Sequence, residues 1–254
     1  MATIKVAIVN ESTVLKDADV QAIIPALQKQ VTRDFAPIWG VDAAIAFVPQ
    51  GQQPAPDAWW LVLLDNTDQA GTLGYHDLSN HGLPLGKVFA KGDIDKGLKW
   101  TVTASHELLE LLVDPAINLT VIDQPDTGGG KLYPYEVCDP CEDEKYGYDI
   151  DGVTVADFVF PTWFEPFNKL GAQYDFQNRI QKPFQVLPGG FIGVYELGGG
   201  SGWHQISAQN EPASYLLRAQ PGSRRERRRL PGNQWMTSTV ARGGKSNVAK
   251  QRAL

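Results

Sequence analysis

"TASHELLELLVDP" (residues 103–115) sets a histidine and three carboxylates along a stretch that otherwise reads as a Leu-rich helix. At about 100° per residue, Glu110 lies about 40° from His106, Asp114 about 80° and Glu107 about 100°. Val102, Leu108, Leu109, Leu112 and Val113 gather on the opposite side, with Leu111 at the border. The spacing predicts a helix from about Lys96 to Val113, ended at Asp114-Pro115, because a residue before proline disfavours the helical region. Two readings of the polar stripe compete. One makes it the solvated face of an ordinary amphipathic helix. The other makes it a ligand face, with His106 and Glu110 one turn apart on a metal ion and Glu107 placed to take a proton.

The flanking sequence sets the helix in a mixed α+β pattern. "TIKVAIVNES" (3–12) alternates like a strand, and 16–40 follows with Val20, Ile23, Ile24, Leu27, Val31 and Phe35 at helical spacing. Asp17 or Asp19 is the expected cap, and Pro25 is expected near a helix start or at a kink. "VDAAIAFVP" (41–49) is a second strand, and "WWLVLLDN" (59–66) is apolar almost throughout, as in a central strand buried on both faces. "GTLGYHDLSNHGLPLGKVFAKG" (71–92) supplies two short strands or one edge strand around a Gly/Pro-rich turn. The first half is thus β-α-β-β-β-α. Beyond residue 115 come short strands, turns and aromatics, including a hairpin around Asp151-Gly152 and a strand between glycine clusters at 189–200.

This order, with H-E-x-x-E on its second helix, resembles the upper half of the zincin metallopeptidases over residues 3–115. The resemblance implies a zincin-like α+β fold. Residues 1–221 would form one catalytic or pseudo-catalytic domain, with an upper half 1–115 and a lower half 116–221. It implies His106 as first zinc ligand, Glu107 as the general base that activates a metal-held water, and Glu110 as second ligand where the family has a histidine. It also implies that the segment before the helix is the edge strand against which a peptide lies. In the thermolysin-like branch the third ligand is a Glu downstream; Glu136 in "YEVCDP" matches by distance, with Asp139 close behind. No G-x-x-H follows the helix at metzincin spacing. The resemblance implies zinc; one imidazole with two carboxylates makes a harder site than a His-rich one and would tolerate Mn²⁺ or Ca²⁺ better, so these are the alternatives.

Further residues are candidates for added ligation or for orienting these groups. Asp114 shares the stripe but is also a natural helix terminator, and His76 sits on the expected edge strand. Asp157 and Tyr135 are candidates to orient His106 or to stabilise an oxyanion. His81 and His204 lie in loop-like settings. Phe158, Trp163 and Phe164 in "DFVFPTWFEPF" (157–167) read as core more readily than as a cleft wall. Cys138 and Cys141 form a lone C-x-x-C, open between two free thiols and a local disulfide; there is no second pair for a four-Cys zinc site.

Composition bounds the rest. The 254 residues are 43% hydrophobic and 20% charged, with no apolar run of membrane-spanning length. The start shows no secretory signal, so the cytoplasm is the default expectation. The charge is uneven: residues 222–254 hold nine Lys/Arg against one Glu, a net +8, so within a total of −6 the preceding part carries −14. That segment reads as a flexible basic tail, suited to a polyanion or an acidic protein surface. The acidic body argues against an extended nucleic-acid surface. Two functions fit: a metal-dependent peptidase acting on peptide or protein substrates, or an inactive zincin-like binding module of a larger assembly.

Overall fold

A computed structural model describes residues 4–68, 72–79, 82–124, 129–165, 171–198 and 202–208. The basic segment 222–254, the end of the lower half and His81 lie outside the described residues.

The chain runs β1 (Ile4–Asn10), α1 (Asp17–Lys29), a π turn (Gln30–Phe35), α2 (Ala36–Trp39), β2 (Ala43–Val48) and β3 (Trp59–Leu64). It continues with β4 (Gly74–Leu78), β5 (Pro84–Phe89), α3 (Ala90–Asp95) and α4 (Trp100–Val113). These strands form a five-stranded mixed sheet in the order β2-β1-β3-β5-β4. β1, β2, β3 and β5 are parallel to their neighbours, while β4 pairs with β5 antiparallel and ends the sheet. The expected helix over 16–40 is three consecutive helical pieces, with Pro25 inside the first. The stretch from Lys96 is not one helix with 100–113: α3 stops at Asp95 and α4 starts at Trp100, separated by a turn in which Gly97 takes φ of 71°. Such a turn suits glycine, which lacks the Cβ that resists positive φ.

Strand alternation divides the side chains of this sheet. Val6, Ile8, Leu61, Leu63 and Val88 join the larger core with α1 and α4. Ala7, Val9, Trp60, Val62, Leu64, Tyr75, Leu85 and Phe89 form a second buried cluster. Continuous apolar runs such as WWLVLL are what a strand buried on both sides requires. Because Tyr75 belongs to the second cluster, Gly74 and His76 on β4 face α4.

The second half is built from β6 (Thr120–Asp123), β7 (Lys131–Pro134), β8 (Tyr148–Ile150), β9 (Val153–Val155), β10 (Phe191–Glu196) and β11 (Trp203–Ser207). A four-stranded antiparallel sheet has the order β11-β10-β7-β6, and β8-β9 is a hairpin turning at Asp151-Gly152 (φ 54° and 86°). Two residues of positive φ are the signature of a turn whose twist matches its strands. His204, expected in a loop, lies on β11 opposite Val194. The larger core is continuous from the first sheet through α4 to Trp163, Phe158 and Ile192. Trp163 and Phe158 are fully buried, and Phe164 is 3% exposed, which makes the aromatic stretch core. Among the described residues no helix is long and apolar enough to cross a membrane.

Candidate metal centre

α4 is enclosed on nearly every side, and its polar stripe is not a wet face. His106, Glu107 and Glu110 are 6%, 3% and 0% exposed. One side meets the sheet; elsewhere Ser105 Oγ accepts from Ala156 N (2.6 Å) and Thr101 Oγ1 donates to the Thr154 carbonyl (2.7 Å), fastening the helix to the chain around β9. Carboxylates buried in this way require compensation by hydrogen bonds, protons or cations.

Two segments outside the helix complete the cluster. The first is β4, where His76 is fully buried opposite Gly86 of β5. Directly paired residues of an antiparallel ladder share a face. A Cβ at Gly86 would stand 2.4 Å from Leu61 Cδ1 and 3.9 Å from His76 Cβ, so glycine makes room at this point. A Cβ at Gly74 would meet Glu107 Cγ and Oε1 at 2.8 Å, so the backbone of β4 lies directly on Glu107. The second is the segment after β7. Val159 N donates to the Val137 carbonyl, Cys138 N donates to Glu110 Oε1 (3.1 Å), and a 3₁₀ turn at Asp139–Cys141 follows. These bonds carry Glu136 and Asp139 to the helix.

Glu110 is the centre of the arrangement. Its Oε1 lies 3.3 Å from His106 Nε2, which is itself 3.2 Å from Asp139 Oδ1. Its Oε2 lies 3.5 Å from His76 Nδ1, and His76 Nε2 is 3.9 Å from Glu136 Oε2. Two ligands held about 2.0–2.1 Å from a tetrahedral ion stand about 3.3 Å apart. The two spacings at His106 Nε2 leave room for an ion shared with Glu110 and Asp139, and are also those of hydrogen bonds from an imidazolium to two carboxylates. The ligand atoms of His106, Glu110 and Asp139 all lie within 4.8 Å of one another, and so do those of His76, Glu110 and Glu136. The third member of the group at His106 and Glu110 is therefore Asp139, while Glu136 stands with His76.

Electrostatics agree with an anionic pocket. Burial presses the His106 imidazolium down, but Glu110 and Asp139 outweigh it and hold its pKa well above the usual value. Burial likewise opposes the charged form of Glu110, yet His106 and then His76 keep its carboxyl well below the ordinary range. Glu107 Oε2 makes no hydrogen bond and faces His76 Nδ1 at 3.6 Å.

The remaining candidates fall outside both triads. Asp114 closes its own helix by accepting from Asn118 N (2.8 Å) and Leu119 N (2.9 Å). Tyr135 packs on Phe164 and Trp39. Cys138 and Cys141 are free and buried, and burial pushes both thiols well above their usual pKa. Asp157 is paired with Asp175, a residue that no sequence signal had marked. Asp157 Oδ1 accepts from Phe158 N (2.8 Å), and Asp175 accepts from Arg179 N and Ile180 N.

Burial, and then the hydrogen bond and charge of Asp175, raise Asp157 to about 8. A raised carboxyl means that the folded chain holds a proton the unfolded chain has released. Its contribution is complete below about pH 4 and is lost as pH rises through about 8. Between those limits it costs the wild type about 1.4 kcal/mol per pH unit. Asp157→Asn keeps an acceptor for Phe158 and a donor for Asp175, and should remove that slope. Urea midpoints of both proteins at pH 5, 6, 7 and 8 test it; parallel pH profiles would mean that Asp157 is ionised in the fold.

No protein family, curated protein or solved structure matches this chain.

Proposed function

We propose that the chain is a zincin-like, metal-dependent peptidase whose ion is held by His106, Glu110 and Asp139 and whose base is Glu107. The observation that carries this reading is the convergence of His106 and Glu110, one helical turn apart, with Asp139 from the 3₁₀ turn, at 3.2 and 3.3 Å. One imidazole with two carboxylates suits zinc and tolerates manganese. When bound, such an ion supplies Lewis acidity toward a carbonyl and acidifies water to near neutral pH.

The chain's own groups would divide the remaining work. Glu107 Oε2, buried and without a hydrogen bond, takes the proton of the attacking water and passes it to the leaving amine. β4 ends the sheet antiparallel to its neighbour and presses its Gly74 backbone on Glu107. A peptide added as a further strand along that edge would lie next to the base. Sheet order, antiparallel edge strand and the position of α4 behind it are the features that support a zincin-like assignment.

Burial favours a second reading, a metal-stabilised binding module without turnover. His76, Glu107 and Glu110 are all 3% exposed or less, and a substrate needs a path to them. Metal analysis of the purified full chain, together with digestion of an unstructured protein substrate, separates the two. The peptidase reading expects about one or more equivalents of zinc or manganese, with one equivalent and all hydrolysis lost in His106→Ala, and hydrolysis abolished by chelator. Bound metal whose removal lowers the melting temperature, with no hydrolysis under any loading, supports the module. Absence of metal after zinc and manganese are added back overturns both.

A further inference from the structure

We infer that the chain holds a second divalent cation, on His76, Glu110 and Glu136, beside the first and bridged to it by the Glu110 carboxylate. The inference rests on the metal reading above and adds a site to it. Three observations carry it.

The first is the direction of the two Glu110 oxygens. Oε1 faces His106 Nε2 (3.3 Å) and is fixed by the Cys138 N–H (3.1 Å), while Oε2 faces His76 Nδ1 (3.5 Å). A carboxylate serving one ion has no need of an imidazole at each oxygen. A carboxylate bridging two ions, which in two-metal sites lie about 3.5–4 Å apart, has this arrangement. Each oxygen also has its own further carboxylate, Asp139 beside His106 and Glu136 beside His76, and each set of three converges to within 4.8 Å.

The second is charge. Glu107, Glu110, Glu136 and Asp139 are each 7% exposed or less and carry −4 together when ionised. With neutral imidazoles on a first divalent ion the pocket keeps −2, a costly residue in a volume this dry. A second divalent ion brings it to zero. The third is Glu107. Its Oε2 is buried, makes no hydrogen bond and lies 3.6 Å from His76 Nδ1, the ring nitrogen that Glu110 Oε2 also faces, so an unbonded carboxylate oxygen borders the second triad on its Nδ1 side.

The second triad is the looser one: His76 turns Nδ1 to Glu110 Oε2 (3.5 Å) and Nε2 to Glu136 Oε2 (3.9 Å), so an ion on either nitrogen has one of the two carboxylates at longer range, within the 4.8 Å over which the three residues converge. Wide spacing between oxygen and nitrogen ligands suits an ion of higher coordination number, and manganese is the probe of choice.

The experiment uses the full chain, stripped with chelator and dialysed against Zn²⁺ or Mn²⁺, with bound metal read by mass spectrometry and Mn²⁺ by electron paramagnetic resonance. Two equivalents are expected in the wild type, one in His76→Ala and in Glu136→Gln, and none in Glu110→Ala. The doubly loaded manganese protein should show an exchange-coupled spectrum that becomes an isolated-ion pattern in Glu136→Gln. Circular dichroism and melting curves identify variants that fail to fold, and Glu136→Gln, which keeps shape and an acceptor, serves if His76→Ala does. One equivalent in the wild type that survives in His76→Ala and Glu136→Gln overturns the second site and leaves the first standing. Loss of all metal in His76→Ala makes His76 a ligand of a single ion and also overturns it. No metal in the wild type overturns this inference and the metal reading together.

Discussion

Glu107→Gln is expected to lower kcat/KM for peptide hydrolysis about 10²–10⁴-fold, the range a positioned general base contributes. Metal content and melting temperature are expected to stay at their wild-type values. The substitution is nearly isosteric, so the packing of the Glu107 side chain on Gly74 of β4 survives. It also breaks no hydrogen bond at Oε2, which makes none, and the new amide can turn its N–H₂ toward His76 Nδ1, 3.6 Å away. The variant removes the proton acceptor and little else. Kinetics on an unstructured protein substrate, with metal analysis of the same samples, check the outcome. Equal activity in the two proteins would remove Glu107 from the chemistry. Loss of metal along with activity would show that Glu107 ligates, and would place its Oε2 on the second ion.

Much of this site was legible in the sequence because it is local. His106, Glu107 and Glu110 fall within one turn and a half of a single helix, and helical spacing alone puts them on one stripe. What spacing could not decide was the surroundings of that stripe. A solvated face and a ligand face have the same periodicity, and only the contacts of α4 with β4, the Ala156 region and the Glu136–Asp139 segment show that it is buried. The strands of the first sheet were legible for similar reasons, in the alternation of IKVAIVN and the continuous apolar run WWLVLL, while their order in the sheet was not.

The non-local partners were harder. His76 is an isolated histidine in a short strand, and its direction follows only once Tyr75 is known to face the other cluster. A usable signal was present in the register, because His76 stands opposite Gly86 and one glycine opposite a histidine leaves space for the ring. The choice between Glu136 and Asp139 turns on the backbone between them. The Cys138 N–H bond to Glu110 fixes that backbone, and the 3₁₀ turn then brings Asp139 to His106 while Glu136 stays with His76. Asp175 carried no motif at all; it matters because the fold sets it against Asp157.

The largest effect on stability is expected from Trp163→Ala, a loss of about 3–5 kcal/mol. Trp163 is fully buried, and its indole N–H donates to the Gln185 carbonyl at 2.8 Å. Its ring meets Tyr133, Phe164 and Phe184 edge-on, with centroids 6.4, 4.8 and 5.4 Å away. Alanine would leave a cavity between these rings and strip the half-buried Gln185 carbonyl of its donor, two penalties that add. For a chain of this length each kcal/mol lowers the melting temperature by about 2–4 °C, so a fall on the order of 10 °C is expected. Ile122→Ala, at a position 50% exposed, should stay within about 0.5 kcal/mol. The consequence for the site is specific. Phe158 and Trp163 share one core with Val137 and Cys138, and Val159 N bonds to the Val137 carbonyl at 2.7 Å. Loosening Trp163 therefore loosens the segment that presents Glu136 and Asp139, while α4 keeps His106 and Glu110 in place. Weaker metal binding in a folded Trp163→Ala, restored in part by Trp163→Phe, would show that the aromatic core sets the distance between the helix and its carboxylate partners. Unchanged affinity at lowered stability would leave that distance to the Cys138–Glu110 hydrogen bond alone.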